Sequence, residues 1–155
     1  MRTLRDLMAT HTRDGRLDWI GLRPARREPM VPVDRAEVEE RGLSADRHPS
    51  PGKRAVTLIQ SEHLPVIGAL CAGPVTPENL RRNLVVSGIN LAALRGGDIR
   101  IGTCVLHLEG PCAPCSRMEE TLGGGGYSAV RHHGGWCASV VRPGTVALGD
   151  PVVPA

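Results

Sequence analysis

Phenylalanine is absent from this chain, and Trp19, Tyr127 and Trp136 are its only aromatic residues. A core must therefore be built from Val, Leu, Ile and Ala. The aromatic platforms that stack single-stranded bases are missing as well, so no nucleic-acid partner is expected. Lysine is reduced to Lys53, and the net charge of +3 is carried almost wholly by arginine. Arginine's planar fork suits bidentate contact with phosphate or carboxylate, although a coding bias toward GC-rich codons yields the same excess. No run of 18 apolar residues occurs, so neither a transmembrane helix nor a membrane partner is expected. The N-terminal MRTLRDLMATHTRDGR is charged throughout and lacks the apolar centre of a secretion signal. The five cysteines are odd in number, which argues against a disulfide framework and for thiols in a reducing cytoplasm. No repeat and no Ser/Gly linker divides the 155 residues. One domain over residues 17–155 is expected, after a helical extension at 1–16.

Periodicity predicts a short helix from Thr3 to about Thr10, then strands in LDWIGLRP and PMVPVD. The charged stretch EVEERGLSADRHPSPGKR reads as a polar loop. AVTLIQ reads as a buried strand, and Ser61 is expected to cap a helix over EHLPVIGALC. Thr76-Pro77 opens another helix by the N-cap and first-turn proline rule. NLVVSG, DIRIG, TCVLHLEG, GWCASVV and TVALGDPVV read as strands, with a short helix SRMEETL stopped at Gly123 and a helical turn in GYSAVRHH. Seven or eight short strands without βαβ alternation point to a mixed, β-rich α/β fold. The expected form is a β-barrel or strongly curved mixed sheet with a few short helices.

Four clusters carry chemistry. In GPCAPCSRME, prolines frame a turn and Cys115 stands where a helix begins, so backbone N–H groups and Arg117 favour its thiolate. Cys112 and Cys115 together also read as half of a zinc site, completed by His132, His133 or Cys137, as a redox pair, or as two buried thiols. Adjacent histidines diverge and do not match the usual zinc spacing, and Cys137 falls in an apolar strand. The glycine run at 123–126, with Gly124 and Gly125 at its centre, offers amides to a phosphate, and HHGGW places His133 beside it. Asp46, Arg47, His48, Lys53 and Arg54 precede the AVTLIQ strand, and Arg81, Arg82 and Asn83 precede NLVVSG. Gathered in space they form a cationic pocket for an anionic ligand.

The ordered segments ADRHPSPGKRAVTLIQSEHL, LRRNLVVSGINLAAL, GGDIRIGTCVLHLEGPCAPCSRME and GGWCASVVRPGTVALGDPV resemble the MOSC domain, named for the C-terminal domain of molybdenum-cofactor sulfurases. The resemblance runs from about Trp19 to Val153 and implies a stand-alone domain with a barrel-like fold and a pocket for molybdenum cofactor. It implies Cys115, in the Pro-x-x-Pro-Cys context beginning at Pro111, as molybdenum ligand or sulfur carrier. Cys112 falls where many relatives have arginine. The glycine of a Gly-Asp pair is replaced by Ala45 before Asp46, and the glutamate of Glu-Asn-Leu is replaced by Arg82 before Asn83. Three functions follow as expectations. One is reduction of N-hydroxylated or similar N–O substrates with an external electron-donor protein. Another is persulfide carriage on Cys115, resolved by Cys112, from a cysteine desulfurase whose pyridoxal phosphate would not be held by this chain. The third is zinc or small-ligand binding without catalysis.

Overall fold

A computed structural model describes residues 1–47 and 52–155, so His48 lies outside the described residues. The wall of the molecule is a mixed sheet closed on itself. β1 (Gly15–Leu22), β5 (Val56–Gln60), β6 (Leu84–Ser87), β7 (Asp98–Ile101), β8 (Cys104–Pro111), β9 (Trp136–Arg142) and β11 (Pro151–Pro154) pair in the order β11-β7-β8-β9-β5-β6-β1. The β1–β11 ladder, Gly15 opposite Val152, closes a seven-stranded barrel. All these neighbours are antiparallel except β5 and β6. A parallel pair needs a crossover, supplied here by α2 (His63–Leu70) and α3 (Pro77–Leu80). β2 (Val31–Val33) extends the sheet beside β1.

The barrel is filled by branched aliphatic side chains, as the lack of phenylalanine requires. Leu17, Val56, Leu58, Leu84, Val86, Ile99, Ile101, Leu106, Leu108 and Val152 all belong to one buried cluster. Ile59 and Val85 turn the other way, into a second cluster with Ile67 of α2, Leu80 of α3, Met118 of α4 (Ser116–Leu122) and Val130 of α5 (Gly126–Val130). β5 is thus buried on both faces, which is why its sequence is an unbroken apolar run rather than an alternation. No helix among the described residues is long and apolar enough to cross a membrane.

The expected elements mostly appear, with three differences. β3 (Arg35–Glu39) runs into the stretch read as a polar loop and β4 (Gly42–Leu43) lies within it; β10 (Gly144–Ala147) joins them into a three-stranded sheet. The alternation in β3, Ala36 and Val38 inward between exposed charges, was masked by the density of charge. α2 begins at His63 with Glu62 at its cap and no side-chain cap hydrogen bond, so Ser61 does not serve there. α1 (Leu4–Met8) is capped by Thr3 and buries none of its residues, while β1 starts at Gly15, two residues before the expected domain start.

Ala45, where the resemblance expects glycine, has a φ of +67°. A Cβ in this left-handed region costs about 1–2 kcal/mol, partly offset by glycine's greater freedom when unfolded. Ala45→Gly is therefore expected to raise stability by up to about 1 kcal/mol, read by denaturant midpoint at unchanged m-value.

Candidate functional site

The segment after β1, α3 with the residues that lead into β6, and the start of α4 converge on one cavity of about 320 Å³. Arg23, Arg81, Arg82 and Arg117 line it with Cys115, and among the described residues Glu78 is the only acid on its wall. Four fixed positive charges facing one carboxylate leave a net positive hollow.

Each arginine is held by its own local logic. Arg81 ends α3 in the left-handed conformation, φ +56°, because the helix closes there behind its Thr76 cap and Pro77. Its guanidinium donates to the Glu28 carbonyl and, at 3.0 Å, to the Ala25 carbonyl. Burial and then the positive charges of Arg117, Arg23 and Arg47 make it harder to hold protonated, with Asp46 opposing. Like charges crowded together in this way give a hollow that favours an anion.

Arg82 is buried. Its Nε donates to the Gly134 carbonyl at 2.6 Å and Nη1 to the Leu80 carbonyl at 2.8 Å. Nη2 has no partner among the described residues. A buried guanidinium nitrogen without an acceptor is costly unless a ligand supplies one.

Arg23 is the member that sequence inspection missed. It is locked by Asp46, whose carboxylate accepts from the Arg23 backbone N–H at 2.6 Å and from Nη2 at 2.8 Å. The signal available was the Leu-Arg-Pro that ends the first strand. Arg47 is exposed, and its N–H donates to the Arg23 carbonyl at 2.7 Å.

Other expected contacts go elsewhere. Asn83 is fully buried and spends its amide on Thr57 and Gly21 rather than facing the cavity. Asp46 binds Arg23. Lys53 and Arg54 line a different hollow together with Cys137. The amide of Gly125 is taken by the Glu119 carboxylate at 3.0 Å, as is that of Tyr127, and these bonds hold Glu119 below the usual carboxylate range. The glycine run is thus capped by the chain's own acid, while Gly124 stands open. His133 packs edge-on to His63 with ring centres 5.8 Å apart. Burial first, then His133, lowers the His63 pKa. Among the described residues no three His, Cys, Asp or Glu side chains come together to hold a metal ion.

In HHGGW the two glycines contact Arg82 and the cysteine loop. Gly134 accepts from Arg82, and the Gly135 carbonyl accepts from the Cys112 N–H at 2.8 Å. A Cβ on Gly134 would come within 3.4 Å of both Arg82 Nη2 and the Cys112 carbonyl. Two residues without side chains thereby hang the cysteine loop beside Arg82. Cys115 is the N-cap residue of α4, exposed, and its sulfur makes no capping hydrogen bond. Cys112 is buried, with its Sγ 2.9 Å from that of Cys137 on β9.

The molecule is a small closed barrel domain with an arginine-lined hollow and a free thiol at its rim. The sequence profile of the MOSC domain matches residues 40–153, and the chain belongs to that family. No curated protein matches it in sequence. In structure it is similar to the YUAD protein from Bacillus subtilis, with a TM-score of 0.79 at 20% identity over 90% of this chain and 94% of that one. It is also similar to YiiM from Geobacillus stearothermophilus, with a TM-score of 0.75 at 18% identity over 91% of this chain and 75% of that one. YiiM from Escherichia coli gives 0.69 at 21% identity over 90% and 69%. At these identities the likeness is one of fold.

Proposed function

We propose that this MOSC domain binds molybdenum cofactor in the arginine-lined hollow, with Cys115 as the protein's ligand to the metal. The observation that carries the reading is Arg82. Together with Arg23, Arg81 and Arg117 it lines one cavity with Cys115, a concentration of positive charge that favours an anion, and the cofactor's phosphate is one. The donor set also fits, since a thiolate is a soft ligand suited to molybdenum. Arg81, Arg82 and Arg117 would hold the phosphate, and Arg23, clamped by Asp46, would keep that side of the hollow in place. When bound, the cofactor supplies two-electron redox chemistry of the kind that reduces an N–O bond, drawing electrons from an external protein. The chain's own part is to present one sulfur free of competing hydrogen bonds and to neutralise the ligand's charge.

Persulfide carriage on Cys115, fed by a pyridoxal-phosphate-dependent desulfurase, would use the same exposed sulfur. Cys112, the thiol expected to resolve that persulfide, lies against Cys137.

Protein purified from its native host is expected to carry molybdenum and oxidisable pterin in near-equal amounts, and Cys115→Ser to lose the metal. Arg117→Gln, which removes one cation without touching the buried network, is expected to weaken cofactor retention about 10- to 100-fold, one charged hydrogen bond's worth. Zinc alone would overturn the reading. So would the absence of metal and pterin together with a persulfide on Cys115 after incubation with a desulfurase.

A further inference from the structure

Two sulfurs that the cofactor reading does not use lie side by side. Cys112 and Cys137 have their Sγ atoms 2.9 Å apart, are free thiols, and are only 6% and 7% exposed. The β8–β9 ladder puts them there. A register shift after Leu108 sets Gly110 opposite Cys137 and Pro111 opposite Trp136. The Cys112 N–H bond to Gly135 continues that pairing one step further. The two side chains therefore meet diagonally across a ladder that is already hydrogen-bonded, and joining them asks for little backbone movement.

Their surroundings are polar on one side. Cys137 borders a hollow of about 350 Å³ with Lys53 and Arg54 on its wall. Cys112 borders a separate one of about 270 Å³, with His63 and Arg95. The hydrogen bond shared with Cys112, aided by the charges of Arg54 and Arg82 and opposed by burial, lowers the Cys137 pKa below the ordinary thiol range. Donating that bond, together with burial, pushes Cys112 well above the ordinary thiol range. Cys137 is thus the sulfur that borders a cationic hollow, with Cys112 buried against it, the arrangement of an attacking and a resolving cysteine.

We propose that Cys112 and Cys137 form a reversible intrachain disulfide on reaction with a hydroperoxide. The Cys137 thiolate attacks the distal oxygen of the peroxide. The O–O bond breaks, and the leaving alkoxide or hydroxide takes a proton to depart as alcohol or water. The resulting sulfenic acid is attacked by the Cys112 sulfur; the S–S bond forms, the S–O bond breaks, and the hydroxyl leaves with the Cys112 proton as water. Overall two thiols and one hydroperoxide give one disulfide, one alcohol or water, and one further water. A dithiol reverses the change by exchange. Oxidation fastens the base of the Cys115 loop to β9 and removes a negative charge from beside Arg54 and Arg82. No cofactor enters the reaction, so its failure would leave the molybdenum reading untouched.

The test treats reduced full-length protein with one equivalent of hydrogen peroxide, then alkylates it in denaturant and maps tryptic peptides without reductant. The expected result is a link between peptides 101–117 and 132–155, assigned to Cys112 by fragmentation. Alkylatable thiols should fall from five to three and recover with dithiothreitol. Cys115→Ser should form the same link, while Cys137→Ala, checked for an intact melting transition, should not. A bond internal to peptide 101–117, between Cys112 and Cys115, would overturn the proposal. So would oxidation confined to Cys115, with Cys112 and Cys137 both still alkylated.

Discussion

Gly135→Ala is expected to cost about 2–5 kcal/mol, the sum of a left-handed backbone penalty and a forced displacement of packed strands. Gly135 has a φ of +97°, and a Cβ there would stand 2.1 Å from the Leu58 carbonyl oxygen and 3.2 Å from the Ile59 Cα. Neither atom yields easily. Both belong to β5, which is buried on both faces between the barrel interior and the helices. For a domain of this length the loss corresponds to a Tm lowered by about 4–20 °C. Gly124→Ala is the control: a Cβ there meets nothing within 4 Å, so a change of about 0.5 kcal/mol or less is expected. Thermal melts of both variants check the contrast. Equal effects would mean that the loop entering β9 relaxes around the added methyl. Gly135→Ala should also disturb the thiols, because the displaced carbonyl is the one that holds the Cys112 N–H.

The same contrast shows which parts of the molecule were legible in the sequence. The strands lining the barrel declare themselves, because branched apolar residues are the only material this chain has for a core. Cys115 was also locatable, since proline framing and a following helix are local features. What depends on register was not. The meeting of Cys112 with Cys137 follows from the shift between Leu108 and Gly110 in the β8–β9 ladder, and no spacing in the sequence encodes it. Asp46 and Asn83 were expected to touch a ligand because charged and polar residues beside arginines suggest it. The structure instead uses them to clamp Arg23 and to join β5 with β1. Lys53 and Arg54, next to a strand that passes the site, open onto the other hollow. Sequence proximity to a buried strand identifies a rim, not which side of it a side chain faces.

Asn83→Leu is expected to be the other severe substitution, although the two side chains are similar in size. Asn83 Oδ1 accepts from the Thr57 N–H and the Thr57 hydroxyl, each at 3.2 Å, and from Arg23 Nη2 at 3.4 Å. Its Nδ2 donates to the Gly21 carbonyl at 3.1 Å. Leucine fills the space but strands the Thr57 N–H and the Gly21 carbonyl in a fully buried position. At about 1–3 kcal/mol for each unsatisfied group, the loss is about 2–6 kcal/mol. Thr57→Val is expected to cost less, about 1 kcal/mol, because the Asn83 oxygen still accepts the Thr57 N–H. Urea unfolding of the two variants measures the difference, and a cost for Asn83→Leu no greater than that of Thr57→Val would show that the asparagine is not the hub. The functional consequence separates this variant from Arg117→Gln. Asn83 adjoins Arg82 in the chain and touches Arg23, so its loss should loosen two walls of the cationic hollow and lower anion affinity and stability together. Arg117→Gln should lower affinity while leaving the unfolding midpoint within about 0.5 kcal/mol of the parent. A hollow whose charge is supplied by one set of residues and whose shape is held by another predicts that separation.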